Sequence, residues 1–308
     1  MSAQVIGDAL LRKLMLLRPM YPDINRPRSG PRVYVNPALA DEESAAVYAD
    51  EMAYPFDHYF GHELKLTGQR IFDLGCYCGG RAVAWGERYG LAHVAGIDIH
   101  PAMAEAGNRF AAMRGVSADF RVGFGEAIPY PDQSFDAVLT FDVLEHVRDL
   151  SRVLNECYRI LKPGGKMYLV FPQFMHPVEH HLSNVTAMPC VHYLFETRRL
   201  LRVYNDIIRE RGSEAAWYAR RSAEPEHWEK CNTINGTSIA RFDSTVEESG
   251  FQTLERVDPE LFSVGRKLGD SRSVAVRAAR QLCRMLSHAP GLREVFTHRI
   301  VRVLRRPA

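Results

Sequence analysis

The sequence predicts an α/β fold with a doubly wound, mostly parallel sheet, and two observations lead to this prediction. Between residues 70 and 172, short apolar segments typical of strands alternate with longer amphipathic segments typical of helices. The helical segments also carry ordinary start and stop residues, for example Pro101 at the start of one helix and Gly115 at its end. Because crossovers between parallel strands are right-handed, such a βαβαβ order produces a parallel sheet covered by helices on both faces.

The predicted elements follow one another along the chain. The strands of this region are "RIFDLG" (70–75), "AHVAGID" (92–98), "ADFRVG" (118–123), "SFDAVLT" (134–140) and "KMYLVFP" (166–172). The helices between them are "GRAVAWGERYG" (80–90), "PAMAEAGNRFAAMRG" (101–115) and "RDLSRVLNECYRILKPGG" (148–165), the last stopped by Pro163 and Gly164. Farther along, we predict a capped helix over 237–250, a sixth strand over 251–258 and a last, antiparallel strand over 298–306.

Composition indicates an ordinary globular protein. Of the 308 residues, 46% are hydrophobic and 25% are charged, and the net charge of +2 indicates no partner for the chain as a whole. The six cysteines include no CxxC pair, so we expect a reducing, cytoplasmic location. Asp8, Arg12 and Lys13 interrupt the apolar N-terminal run, which therefore predicts an amphipathic helix and no signal peptide. No apolar stretch is long enough to predict a membrane span.

The loop after the first strand, "IFDLGCYCGG" (71–80), lies where a doubly wound sheet binds its ligand. Asp73 ends the strand, Gly75 permits a sharp turn, and Gly79 lets the backbone approach a ligand closely. The second strand ends in Asp98, whose carboxylate suits the two hydroxyls of a ribose. Together, these residues predict a nucleoside ligand.

The segment from 122 to 172 resembles a known family. Its elements "IPY", "SFD", "LEH" and "LKPGG" are similar to those of class I S-adenosylmethionine-dependent methyltransferases of the ubiquinone/menaquinone-methyltransferase-like (methyltransferase type 11) superfamily. With the loop and Asp98, the resemblance covers about residues 68–172. It implies a Rossmann-like, seven-stranded sheet, S-adenosylmethionine as cofactor, and methyl transfer as reaction. A dinucleotide dehydrogenase would show G-x-G-x-x-G, whereas this loop reads G-x-x-x-G-G.

The resemblance also implies which residues bind the cofactor. They are Asp73, Gly75, Cys76, Tyr77, Gly79, Asp98, Ile99, Phe124, Gly125, Glu126 and Phe141. Two of them depart from the family pattern. Tyr77 stands at the middle glycine of the loop, where a positive φ would cost about 1 kcal/mol or more. Phe124 stands where relatives carry an acid for the adenine amino group, so we assign that acceptor role to Glu126, with Gly125 offering a backbone N–H.

These departures leave alternatives open. The Tyr77 ring either lies over the methionine moiety, points to the acceptor pocket, or is a surface substitution. For the whole protein, the alternative to an active enzyme is a non-catalytic binding or regulatory protein with a degenerate cofactor loop.

The acceptor site is predicted after the fifth strand. Residues 173–235 are far longer than an ordinary loop, and the resemblance implies a helical lid that binds a small-molecule acceptor. In-line methyl transfer to oxygen needs a base, and we consider His146, His180 and His181, although His146 is often a framework residue in relatives. Transfer to carbon or nitrogen stays open.

A histidine group lies in the lid. It comprises His176, His180, His181 and His192, together with Glu179. These side chains suit a metal, an acceptor contact or structural hydrogen bonds. We predict no metal site, because Pro177 makes a regular helix through His176 and His180 unfavourable.

The C-terminal region is strongly basic. From residue 266 onward, two acids, Asp270 and Glu294, accompany eleven basic residues, Arg266, Lys267, Arg272, Arg277, Arg280, Arg284, Arg293, Arg299, Arg302, Arg305 and Arg306. On a helix, Arg277, Arg280 and Arg284 lie on one side, and Ala275, Ala278, Leu282 and Met285 toward the other. Such a helix either packs on the sheet by its apolar side or contacts an anionic membrane peripherally. We expect no nucleic acid partner.

The sequence therefore predicts four regions. A helical N-terminal cover spans 1–66, the cofactor-binding core 67–172 and the acceptor lid 173–235. The chain returns to the sheet over 236–308, with a basic helical insertion at about 266–290.

Overall fold

The structure is a computed structural model that describes residues 3–17, 58–61, 64–177, 182, 185–186, 188–211, 235–261, 273–289 and 291–308. The strands are β1 (Arg70–Leu74), β2 (His93–Asp98), β3 (Ala118–Val122), β4 (Phe135–Phe141), β5 (Leu161–Pro172), β6 (Gln252–Val257) and β7 (Arg299–Arg305). The helices are α1 (Ala3–Leu17), α2 (Gly80–Tyr89), α3 (Pro101–Arg114), α4 (Leu150–Ile160), α5 (Val191–Leu194), α6 (Thr197–Arg211), α7 (Ile239–Glu248), α8 (Val274–Ser287) and α9 (Arg293–Phe296).

The strands form a seven-stranded sheet in the order β3-β2-β1-β4-β5-β7-β6. The first five strands run parallel, and β7 is antiparallel to both β5 and β6. The predicted doubly wound, seven-stranded sheet with an antiparallel last strand is therefore confirmed. Because the strand order reverses at β1, the crevice at its carboxyl end is the place where such sheets bind ligands.

The helix ends follow from local sequence. Gly90 and Gly115 end α2 and α3 with φ values of 60° and 67°, which a residue without a Cβ adopts readily. The Asp149 side chain accepts a hydrogen bond from the Arg152 N–H and so caps the start of α4. The helix α4 was predicted to be stopped by Pro163 and Gly164, but it already ends at Ile160. A proline disfavours the helical conformation of the residue before it, and the chain is already extended when it reaches Pro163.

Both faces of the sheet are buried. Alternate residues of each strand point to opposite faces, so that Ile71 joins a cluster with Trp85, while Phe72 joins a cluster with Leu154 and Phe242. The first cluster lies beneath α2 and α3, and the second beneath α4 and α7. This double burial is what parallel strands require.

The N-terminal helix packs against α6, which lies in the predicted lid. Leu11 and Met15 of α1 are buried against residues of α6 such as Leu200 and Tyr204. Asp8 also accepts hydrogen bonds at 2.9 Å from the Arg202 guanidinium. Residues 1–2, 18–57 and 62–63 of the predicted N-terminal cover lie outside the described residues, as do residues 178–181, 183–184, 187 and 212–234 of the predicted lid.

None of the helices in the described ranges is both long and apolar enough to cross a membrane.

Candidate cofactor and acceptor site

The loop between β1 and α2 turns through three left-handed residues, Gly75, Tyr77 and Gly79, with φ values of 70°, 53° and 72°. Two of them have no room for a side chain. A Cβ on Gly75 would lie 2.3 Å from Val143 Cγ2, and one on Gly79 would lie 2.9 Å from the Cα of Gly107. Both positions therefore require glycine, because a side chain would clash with its neighbours and because the backbone has a positive φ.

Tyr77 stands at the middle glycine position of the family pattern and has a positive φ. A left-handed conformation costs a residue with a Cβ about 1 kcal/mol or more. Two interactions offset this cost: the ring packs against the core cluster beneath α2, and the backbone N–H donates a hydrogen bond to the Asp98 carboxylate. The ring packing and the backbone hydrogen bond therefore both stabilise the left-handed turn.

Asp98 lies at the carboxyl end of β2, next to this loop. Its Oδ1 also accepts a hydrogen bond of 3.0 Å from the His100 N–H. Burial raises the pKa of Asp98, and the hydrogen bonds from His100 and Tyr77 oppose that rise. The site therefore holds a partly desolvated carboxylate at the ligand-binding edge of the sheet.

Asp73 has a different role from the one predicted. Its side chain is fully buried and forms a bidentate ion pair with Arg81. The Nη2–Oδ1 distance is 2.6 Å and the Nε–Oδ2 distance is 3.0 Å. The same guanidinium donates to the carbonyls of Gly75, at 2.9 Å, and Phe141, at 3.2 Å. Burial raises the pKa of Asp73, and the charge of Arg81 opposes the rise. Asp73 therefore holds the loop in place through Arg81, and its side chain is fully buried.

Cys76 is also a packing residue. Its side chain is fully buried, its N–H donates to the Ile97 carbonyl, and its own carbonyl accepts from the Gly79 N–H. Burial raises the pKa of this thiol well above its ordinary value, and the Asp73 and Asp98 carboxylates raise it further. The polar atoms of Cys76 are thus engaged within the loop, and its cofactor contact stays a prediction.

Two exposed apolar side chains flank Asp98. Ile99 directly follows β2 and is 38% exposed, and Phe124 follows β3 and is 51% exposed. The chain around them is tied together, since the Gly123 N–H donates to the Asp98 carbonyl. Gly125 follows with little room for a side chain, because a Cβ there would lie 3.1 Å from Val153. The edge thus combines a carboxylate with two apolar surfaces, a combination that suits a nucleoside.

Glu126, the predicted adenine acceptor, binds the turn before α4. Its Oε1 accepts hydrogen bonds from the backbone N–H groups of Arg148, at 2.8 Å, and Asp149, at 3.2 Å. The two donating residues directly precede α4. A carboxylate is favourable at this place because a helix N-terminus carries a partial positive charge. In this structure Oε1 of Glu126 binds the start of this helix, and a contact with adenine stays a prediction.

At the carboxyl end of β4, an ion pair closes the edge of the sheet. Asp142 has a φ of 55° and pairs with Arg299, the first residue of β7. The Arg299 guanidinium also lies over the buried Phe141 ring, 5.1 Å from its centroid. Sequence reasoning placed Phe141 in the site but missed the pair, because Asp142 and Arg299 meet only through the insertion of β7 beside β5.

The turn after β4 carries the "LEH" element. His146 lies beside the buried Glu145, with Nε2 3.6 Å from Oε1, and remains partly accessible. Asn235 fastens this turn, since its side chain donates to the carbonyls of Leu144, at 2.6 Å, and Val147, at 2.9 Å. Asn235 was missed in the sequence because a single asparagine after a long insertion gives no local signal.

The histidine group separates in the structure. His176 packs against His298, with ring centroids 5.1 Å apart, whereas His192 contacts Phe174 and Tyr193. His180 and His181, the other candidate bases, and Glu179 lie outside the described residues. Within the described ranges, no group of three or more side chains is arranged to hold a metal ion.

A parallel sheet with a glycine-rich turn after β1 and an acid at the end of β2 is typical of doubly wound domains that bind a nucleoside. Residues 72–169 match the family described as "Methyltransferase domain". This part of the chain is a class I S-adenosylmethionine-dependent methyltransferase domain, and S-adenosylmethionine is the cofactor of that class.

Individual relatives agree with this assignment over the same region. The chain is 37% identical over 112 residues to a ubiquinone biosynthesis O-methyltransferase of Xanthomonas oryzae pv. oryzae, which covers 36% of this chain and 46% of the relative. It is 34% identical over 112 residues to a sterol 24-C-methyltransferase of Aspergillus fumigatus, covering 35% of this chain and 29% of the relative. The matches thus span less than half the length of each of these curated relatives.

The fold extends beyond that region. A geranyl diphosphate methyltransferase, solved in complex with S-adenosylmethionine, superposes with a TM-score of 0.53 over 92% of this chain and 93% of its own. The two sequences are 17% identical, so this likeness concerns the fold.

Proposed function

We propose that this protein is an S-adenosylmethionine-dependent methyltransferase that acts on a small-molecule acceptor, with oxygen as the methylated atom. The observation that carries the proposal is the edge formed by Asp98, Ile99 and Phe124 beside the left-handed loop. It presents a desolvated carboxylate between two apolar side chains at the switch point of the sheet.

The residues of this edge fit the cofactor. Asp98 would accept hydrogen bonds from the ribose hydroxyls, and Ile99 and Phe124 would flank the adenine ring. Tyr77 and Gly79 would back the methionine part with the loop that Arg81 holds. When bound, S-adenosylmethionine supplies a methyl group activated by a sulfonium sulfur.

The chain itself provides the groups that an oxygen acceptor needs. His146 follows β4 at the carboxyl edge, and it would remove the proton from an acceptor hydroxyl held there. An imidazole suits this role because it titrates near neutral pH. The lid, from 173 to 235, would cover the acceptor and exclude water, with α1 supporting α6 from outside. Of the two relatives named above, one is an O-methyltransferase and the other a C-methyltransferase. The choice of oxygen as the methylated atom therefore needs its own test.

A second candidate is a non-catalytic binding protein that keeps the fold. The strained Tyr77, in place of a glycine, favours it. Calorimetry with S-adenosylhomocysteine distinguishes the two. Micromolar binding to the wild type is expected for the enzyme, with binding weakened by about 1–3 kcal/mol in Asp98→Ala, because buried hydroxyls lose a charged acceptor. An absence of binding at millimolar ligand would favour the second candidate.

The acceptor is then identified by mass spectrometry. Metabolite extracts are incubated with the protein and S-adenosylmethionine labelled in its methyl group, and an Asp98→Ala sample serves as the matched control. A labelled product with an O-methyl group supports the full proposal. A C- or N-methylated product retains the enzyme and overturns the oxygen assignment.

A further inference from the structure

Helix α8 presents apolar side chains to solvent. Val274 is 71% exposed, Leu282 54% and Met285 64%, and all three lie on the same side of the helix. The side that packs inward is a different one, centred on the buried Cys283. The sequence-based alternative in which α8 packs by the side that carries Leu282 and Met285 is therefore wrong, because that side faces outward.

Basic residues border this apolar side. Arg277 and Arg284 are exposed along one flank of it, and neither has an ion-pair partner within the described residues. Arg280 lies closer to the packed side and pairs with Glu260 at 3.1 Å. Helix α8 itself contains no acidic residue. The outer surface of α8 therefore combines an apolar centre with uncompensated positive charge.

We infer that α8 binds an anionic lipid surface, with Val274, Leu282 and Met285 entering the interface and Arg277 and Arg284 contacting lipid head groups. An amphipathic helix with this arrangement lies in the plane of a membrane interface, where apolar burial and charge attraction act together. A nucleic acid would match the arginines but not the apolar centre. The short helix α9 packs against α8 and holds it at the end of the sheet formed by β6 and β7.

This surface is independent of methyl transfer. It lies in the insertion between β6 and β7, whereas the candidate cofactor residues lie at or after the carboxyl ends of β1, β2, β3 and β4. Failure of the lipid proposal therefore leaves the proposed function unaffected, and the reverse also holds.

The test is vesicle flotation of the full chain at low salt. Vesicles contain phosphatidylcholine alone or phosphatidylcholine mixed with phosphatidylglycerol. We expect the wild type to float with the anionic vesicles, to remain behind with the neutral ones, and to be released by high salt, because salt screens the head-group charge. Wild-type protein that does not float with anionic vesicles at low salt overturns the inference.

Three double variants locate the surface. Arg277→Gln/Arg284→Gln should lower partitioning roughly 30-fold, since each arginine near an anionic surface is worth about a fivefold change. Leu282→Ser/Met285→Ser should lower it by about tenfold or more, because apolar burial at the interface is lost. Arg114→Gln/Arg209→Gln removes two exposed arginines of other helices and should leave binding near the wild-type level.

Unchanged partitioning in both α8 variants would assign any vesicle binding to another surface and overturn the inference. All six positions are at the surface, and circular dichroism melting confirms that each variant is folded. Equal losses in the control variant would show a nonspecific effect of charge, which also contradicts a role for α8.

Discussion

Replacing Arg81 by methionine should destabilise the protein strongly and in a pH-dependent way. The wild-type guanidinium is fully buried and binds the equally buried Asp73 carboxylate at 2.6 Å, while donating to the carbonyls of Gly75 and Phe141. Methionine fills a similar space with an unbranched apolar chain but supplies no donor. The Asp73 carboxylate is then buried without its counter-charge.

The expected loss at neutral pH is about 3–5 kcal/mol, the cost of removing one partner from a buried ion pair. The pH dependence follows from the sign of the Asp73 shift. Without Arg81, the pKa of Asp73 in the folded state rises further above its unfolded value, since burial is no longer opposed. The part of the destabilisation that comes from the Asp73 charge should therefore be absent below the ordinary pKa of an aspartate and should grow as the pH rises toward the folded pKa. The loss of the donor to the two carbonyls adds a part that does not depend on pH.

Urea unfolding followed by tryptophan fluorescence measures this loss, and the buried Trp85, whose ring lies 5.7 Å from the Arg81 guanidinium, reports on the site. The matched variant Asp73→Asn/Arg81→Met removes both charges and should recover part of the stability. It should also lose the pH dependence. A loss under about 1 kcal/mol in the single variant, or equal losses in the single and double variants, would refute the reasoning.

Three further predictions concern the cofactor edge and its attachment to the lid. Tyr77→Gly should keep or tighten the binding of S-adenosylhomocysteine, since it relieves about 1 kcal/mol of backbone strain; a tenfold loss in calorimetry would show that the ring contacts the ligand. Because burial raises the pKa of Asp98, the carboxylate gains its proton above the usual aspartate range, and cofactor affinity should fall there as the pH is lowered. Calorimetry across pH should find this fall in the wild type and not in Asp98→Asn; the same fall in both proteins would assign it to another group. Asn235→Ala should lower the unfolding free energy by about 1–3 kcal/mol, since two buried carbonyls lose their donor; an unchanged urea midpoint would contradict this.

The sequence by itself determined the order and type of the core elements. Strands such as β1 and β4 are short apolar runs, and glycines at 90 and 115 end the helices between them, so local chemistry alone predicts each element. The switch point, the turn at Gly75 and the carboxylate of Asp98 follow from the same local order, because the carboxyl ends of parallel strands meet at one edge. Even the left-handed conformation of Tyr77 was predictable from its place in the loop pattern.

Only the tertiary structure decided which distant groups meet. Asp73 was predicted as a ligand contact, but Arg81, the second residue of α2, turns inward and pairs with it, and a buried carboxylate is stable only beside such a charge. Asp142 and Arg299 meet because β7 enters beside β5, and no local pattern encodes that insertion. The sequence of α8 shows which residues form its apolar and basic sides. Which side packs against the protein depends on the shape of the neighbouring surface. The hydrophobic periodicity of a segment depends on that segment alone and can be found in its sequence. Burial and ion pairing depend on two segments that meet in space, so they are determined only by the complete fold.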